Sequence, residues 1–167
     1  MDAWGVFLVN SVALSARGWK PRLTARLDAT SGGGAYRPDS AKDFNPLYGS
    51  SQYLSERLLL SNSNLLLLTP GLAVSPTPDI DIAIEYGFAR RLTDKDAAYA
   101  GLMRPHAGTQ TVAGHEIGGL FRLYWTWAAG HHLSIFANVE YLSAGDVLLR
   151  AGQPSGRFAD IGMTYRY

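Results

Sequence analysis

Five stretches of this chain place an apolar residue at every second position. The last is the clearest: Ala159, Ile161, Met163, Tyr165 and Tyr167 form one row, and Asp160, Gly162, Thr164 and Arg166 the other. A period of two puts such rows on opposite faces of a β-strand. The same alternation runs through Pro21–Ala29 and Asp79–Phe88, where Ile80, Ile82, Ile84, Tyr86 and Phe88 oppose Asp79, Asp81, Ala83, Glu85 and Gly87. It returns in Gly114–Trp127 and His131–Leu142. In the first of these, Ile117, Gly119, Phe121, Leu123, Trp125 and Trp127 form the outward row; in the second, Leu133, Ile135, Ala137, Val139 and Tyr141 do. Trp4–Ser15 and Asn64–Val74 read as two further, mostly apolar strands, giving about seven in all. Ser51–Leu60 is ambiguous, either a short helix in a loop or an irregular extra strand.

Repetition of this pattern restricts the fold to an antiparallel β-sheet with one apolar and one polar face. Most of the apolar rows are long enough for a tilted strand of ~9–11 residues to cross a bilayer. The connections alternate in length. Short ones fall at Arg17–Lys20, Ser75–Pro78 and Ala128–Gly130, long ones at Thr30–Ser63, Ala89–Val112 and Ser143–Gly156. The long ones are broken by Ser31-Gly32-Gly33-Gly34, Arg37-Pro38-Asp39 and Phe44-Asn45-Pro46. Transmembrane barrels join their strands by short periplasmic turns and long extracellular loops, with lipid outside, a wet lumen inside and aromatic girdles at both interfaces. The fold expected is therefore all-β, an antiparallel transmembrane β-barrel segment over residues 1–167. Barrels of single bacterial chains use even strand numbers, and an open edge in lipid leaves backbone groups unpaired. An odd count points to strands supplied from upstream. Met1-Asp2-Ala3 carries no basic export leader, which fits a chain whose first part is missing.

Composition excludes several alternatives. Hydrophobic residues make up 47% of the 167, yet no run approaches the ~18 apolar residues of a spanning helix. A net charge of +1 gives no general basic field for nucleic acid. The absence of cysteine removes disulfides, thiolate metal sites and cysteine nucleophiles. His131 and His132, adjacent on a strand, point to opposite faces. His115-Glu116 lacks the spacing of a helical zinc motif, and His106 sits in a loop. No G-x-S-x-G elbow surrounds a serine, Ser134 lies on the lumen row, and no G-K-[ST] follows Gly32–Gly34. Neither a catalytic centre, a metal nor a cofactor is expected.

Several short segments, in order and spacing, carry a family likeness. They are Asp43-Phe44-Asn45-Pro46-Leu47-Tyr48, Asn64-Leu65 through Ser75-Pro76, Asp94 through Tyr99, Gly114-His115-Glu116-Ile117 and the final strand. From about Trp19 to Tyr167 the chain resembles the C-terminal part of the alginate export family. That resemblance implies an outer-membrane porin of roughly eighteen strands, of which this chain is the last part, passing an anionic polysaccharide such as alginate or small anionic solutes. It also implies outer-membrane lipid around the barrel, and recognition of the strand ending at Tyr167 by the barrel assembly machinery. A uronic acid polymer calls for guanidinium groups along the wall and acids that keep binding weak. Alternation puts Arg22, Arg26, Arg122 and Arg166 on the lumen rows as candidate anion-binding residues. Asp28, Asp79, Asp81, Glu85, Glu116, Glu140 and Asp160 are their acid partners on the same face. A tight hairpin at Ala128–Gly130 would set Phe136 and Asn138 opposite Arg122, with Glu140 only diagonal, leaving no carboxylate directly across. A small outer-membrane lipid-modifying enzyme is the next reading and a soluble ligand-binding β-barrel the third. The first lacks a converging hydroxyl, base and acid, the second a polar row at Leu133–Tyr141.

Overall fold

The computed structural model describes residues 2–33, 42–46 and 53–167. Gly34, Arg37-Pro38-Asp39, Leu47-Tyr48 and the first two residues of the Ser51–Leu60 stretch lie outside the described residues. Seven strands form the wall: β1 (Gly5–Ala13), β2 (Arg22–Thr30), β3 (Leu65–Thr77), β4 (Ile80–Arg90), β7 (Glu116–Ala128), β8 (Leu133–Ala144) and β9 (Gly156–Tyr165). Two-residue strands β5 (Tyr99–Ala100) and β6 (Arg104–Pro105) make a separate ribbon within the loop after β4, and helix α1 (Asp146–Arg150) lies between β8 and β9. The wall runs β1-β2-β3-β4-β7-β8-β9, antiparallel throughout. It is a β-barrel wall that does not close on itself, with β1 and β9 as its edges. No described helix is long and apolar enough to cross a membrane.

The predicted strands are all present, with boundaries moved by the turns. β3 continues through Ser75-Pro76 to Thr77, so the turn shrinks to Pro78-Asp79. The register shifts between Val74 and Thr77, and such an irregularity accommodates Pro76, which has no N–H for the ladder. The β7–β8 turn instead lengthens, running from Ala129 to His132. His131 and His132 thus lie in a turn rather than on a strand. The described part of Ser51–Leu60 is neither an extra strand nor an α-helix but a series of tight turns.

On one face of the wall the apolar rows stand exposed. Tyr86, Phe121 and Tyr141 pair across β4, β7 and β8 as one outward transverse row, with Phe88 stacked edge-on to Tyr86 at 4.9 Å. At the other end Trp125 and Trp127 lie 6.4 Å apart, and Ile80 pairs with Trp127. Between them stand Ile84, Leu123 and Val139 in register. From Ile80 to Phe88 the row extends about 27 Å along the strand at ~3.4 Å per residue. Tilted by ~40° it covers about 20 Å, close to the ~25 Å apolar band of an outer-membrane barrel with its two aromatic girdles.

The opposite face, the lumen side, holds what core the molecule has. Leu54 and Leu60 from the loop before β3, Ala98 and Leu148 from the later loops, and Leu65, Leu67, Ile117, Leu120 and Leu142 from the strands form one buried cluster. It lies toward the strand ends that bear the long connections. Ile117 reaches it because the β4–β7 register shifts between Ala89 and Arg90. Alternation placed Ile117 on the outward row; the irregularity turns it inward. Gly118, at φ 145°, sits at this kink, where a side chain would run into the Ser143 backbone.

Candidate functional site

A single row crosses the lumen face near mid-height. Thr24, Gly71, Glu85, Arg122, Glu140 and Phe158 pair in succession from β2 to β9. A Cβ on Gly71 would stand 2.5 Å from Thr24 Oγ1 and 2.9 Å from Glu85 Cγ, so only glycine leaves room for the side chains leaning over β3. Arg122 is flanked by two carboxylates. Its Nη1 lies 3.5 Å from Glu85 Oε2 and its Nε 3.2 Å from Glu140 Oε1. The expected arrangement, with Phe136 and Asn138 opposite and no acid across, is therefore wrong. The longer β7–β8 turn slides the register until Arg122 faces Glu140 and Tyr124 faces Asn138.

The other expected residues fall into distinct settings. Arg26 Nε lies 3.1 Å from Asp28 Oδ2, Nη1 donates to the Tyr53 carbonyl at 3.0 Å, and the guanidinium covers the Tyr53 ring at 4.7 Å. The Tyr53 hydroxyl donates to Asp28 Oδ1 at 3.2 Å, leaving Asp28 fully buried. Arg22 and Asp81 stand 3.9 Å apart and both are exposed, while Asp81 also accepts from Ser75 Oγ at 2.5 Å. Asp79 lies in the β3–β4 turn. Asp160 pairs with Asn138, whose buried side-chain amide has no hydrogen-bond partner among the described residues. Arg166 follows β9; its backbone N–H donates to the His132 carbonyl at 2.8 Å, and its side chain is exposed. Glu116 leaves the expected row. The register shift that turns Ile117 inward sets Glu116 opposite Arg90, at the end of the outward row of β4, and it is exposed.

A loop segment that alternation left undecided completes this face. Residues 53–59 cross the wall from β2 to β9. Tyr53 engages Arg26 and Asp28 at one end; Arg57 stacks on the Phe158 ring at 5.5 Å at the other. Between them the chain is fastened to Glu140, which accepts from Ser55 Oγ at 2.6 Å, Glu56 N–H at 2.8 Å and Arg57 N–H at 3.3 Å. With the Arg122 guanidinium as a fourth, ion-paired neighbour, a wholly buried carboxylate is satisfied and neutralised. Arg57 itself makes no ion pair among the described residues, and its side chain stands in solvent. Glu56, Ala83, Glu85, Arg122 and Tyr124 line a cleft of about 180 Å³ beside the segment.

The segment is braced from behind by the loop after β4. Gly101 N–H donates to the Leu58 carbonyl at 2.7 Å, and Ser61 N–H to that of Tyr99 at 2.9 Å. Asn64, at φ 50°, donates to the Thr93 and Ala97 carbonyls, both at 2.9 Å, and accepts from Thr93 N–H at 2.9 Å. Asp96 accepts from Gly33 N–H and Ala97 N–H, both at 2.7 Å, and from the Tyr99 hydroxyl at 2.8 Å. Arg91, fully buried, donates to the carbonyls of Gly114 at 2.5 Å, Asp96 at 2.9 Å, Thr109 at 2.7 Å, and Val112. Burial draws its pKa below the ordinary arginine value, against the pull of Asp94. His106 Nε2–H donates to the Leu59 carbonyl at 3.2 Å. Burial lowers the His106 pKa, with Arg104 adding to that effect and the Leu59 carbonyl opposing it.

None of Tyr53, Ser55, Arg57, Asn64, Arg91 or Asp96 stands out in a pattern of alternation. The signal available is Leu54, Leu58, Leu59 and Leu60 in a non-strand segment, around Ser55-Glu56-Arg57. Leucines with no lipid face to occupy need a core of their own. Among the described residues no group of three or more His, Asp or Glu side chains is placed to hold a metal. The family model described as alginate export matches residues 2–160. No curated protein matches the chain.

Proposed function

Because the chain belongs to the alginate export family, whose members are export channels of the outer membrane, we propose that it forms the wall of a passive porin for an anionic, alginate-like polysaccharide. The observation that carries this reading is the division of one register into two environments. The strands that set Tyr86, Phe121 and Tyr141 outward set Glu85, Arg122 and Glu140 inward. Such a wall separates lipid from a charged aqueous path.

Mixed charge suits passage rather than retention. A lining of arginines alone would hold a polyuronate at every step, whereas conduction needs contacts weak enough to release. Arg26 and Arg122, neutralised by Asp28, Glu85 and Glu140, shape the field of the wall. Arg22, Arg166 and Arg57, exposed on or beside it, meet the carboxylates of the polymer. Outer-membrane lipid covers the outward rows, and β9 with the residues after it to Tyr167 is the segment offered to the barrel assembly machinery.

Reversal potentials of the full-length channel in planar bilayers under a salt gradient test this reading, together with block by uronate oligomers. Anion preference, and a block that weakens with ionic strength, are expected. Cation preference with no effect of the oligomers would refute it.

A further inference from the structure

We infer that residues 53–60 are the constriction of the channel, that Glu140 is the residue positioning it, and that Arg57 is the group it presents to passing carboxylates. This rests on the channel reading above and adds what sets the bore and the specificity.

Three features carry it. First, the segment lies across the lumen face, from Arg26 and Asp28 on β2 to Phe158 on β9, with its own strand β3 passed over. Anything moving along the lumen side of the wall passes its exposed edge. Second, it is fixed. Leu54 and Leu60 are buried in the core on either side of the Glu140 contacts, and Leu59 N–H donates to Ser55 Oγ at 3.1 Å. Gly101, Tyr99 and His106 tie it to the loop behind. A segment pinned on both sides is a fixed narrowing, not a lid.

Third, its anchor and its offered group are different residues with opposite chemistry. Glu140 is consumed by three hydrogen-bond donors and the Arg122 ion pair, and it touches no solvent. Its attachment to Arg57 N–H fixes that residue's backbone, and the Phe158 ring orients the guanidinium without neutralising it. Among the described residues no acid pairs with Arg57, and a guanidinium so held offers its five-donor fork to a bidentate carboxylate. Arg122, on the same transverse row, is instead neutralised by Glu85 and Glu140. The class of ligand met at the constriction is thus a sugar carboxylate, and the residue that selects it is Arg57.

The test uses the full-length channel in planar bilayers. Glu140→Ala releases the anchor and should raise single-channel conductance at least about twofold, whereas Ser134→Ala, a lumen change away from the segment, should leave it unaltered. Ser55→Ala removes one donor and gives a smaller rise in the same direction, should Glu140→Ala fail to assemble. Arg57→Glu should weaken uronate-oligomer block about tenfold or more. The chain has no cysteine of its own; with Arg57→Cys as the sole thiol of the channel, attachment of a bulky thiosulfonate reagent should cut the current by more than half. Unchanged conductance in Glu140→Ala or Ser55→Ala, with full current after modification at position 57, overturns the constriction in a channel that otherwise conducts. A parent protein that passes no current overturns the channel reading itself.

Discussion

At the Glu85–Arg122–Glu140 row and above it the lumen face is packed like a protein interior; toward the short turns the same strands come out into solvent. The contrast is visible along β8, where Asn138, Glu140 and Leu142 are buried and Ser134 is exposed. It is visible again along β2, between buried Asp28 and exposed Arg22. The strands contribute to the difference, with Leu65, Leu67, Leu120 and Leu142 facing the lumen above and Arg22, Asp81, Thr126 and Ser134 below. Residues 53–64, the loop after β4 and helix α1 complete it, bringing further leucines and hydrogen-bonding groups onto the upper half. Strand alternation builds a wall, and the loops decide where that wall becomes narrow.

The largest effect expected on this contrast is at Arg91. Its guanidinium is the hub for four carbonyls of the loop after β4. Arg91→Leu takes the guanidinium donors from all four, two of them on the buried residues Asp96 and Thr109, at a cost of about 3–5 kcal/mol. The loop should become cleavable by protease while the barrel band on cold electrophoresis persists. Intact resistance would mean that the carbonyls find other donors and that the loop needs no hub.

A paired comparison sharpens the same point. Leu60→Ala removes a side chain from the core of the upper half and should destabilise by about 2–5 kcal/mol. Leu72→Ala, on the outward row and well exposed, should change folding in detergent by much less. Equal losses would show that the upper lumen holds no core distinct from the wall.

These regions also differ in how far the sequence announces them. Tyr86, Phe121 and Tyr141 are legible because each strand keeps a period of two, and lipid outside demands it. The seven strands follow from the same rule. What local pattern does not encode is register across turns. The β7–β8 turn runs to His132, and that moved Arg122 from an apparent lack of partners to two carboxylates. A single irregularity at Ala89–Arg90 sent Ile117 inward and took Glu116 off the lumen row. Arg57 and Ser55 were invisible for another reason: their roles depend on a contact with Glu140 more than eighty positions away in sequence.

A smaller effect is expected with pH. Burial lowers the His106 pKa below its usual ~6.5. Above that value the histidine is neutral whether the loop is packed or released, and packing is undisturbed. As pH falls through ~6.5, the released loop takes a proton that the packed one refuses, so packing weakens until the lower folded pKa is reached. Arg104 nearby acts in the same direction. Current noise from the constriction should therefore grow on acidification, and His106→Gln, which keeps a donor for the Leu59 carbonyl, should flatten the profile. Noise that rises equally in both proteins would place the titrating group elsewhere.

The two-faced wall itself is tested by single cysteines along β4, from Ile82 to Tyr86, in a chain that has none of its own. Each is introduced into the full-length protein in lipid vesicles and probed twice, by a membrane-impermeant thiol reagent from the aqueous side and by quenching of an attached fluorophore with brominated lipid. Strict alternation is expected: Ala83→Cys and Glu85→Cys react with the aqueous reagent, while Ile82→Cys, Ile84→Cys and Tyr86→Cys are shielded from it and quenched by lipid. Reactivity that does not alternate, or quenching at Ala83 and Glu85, would contradict it.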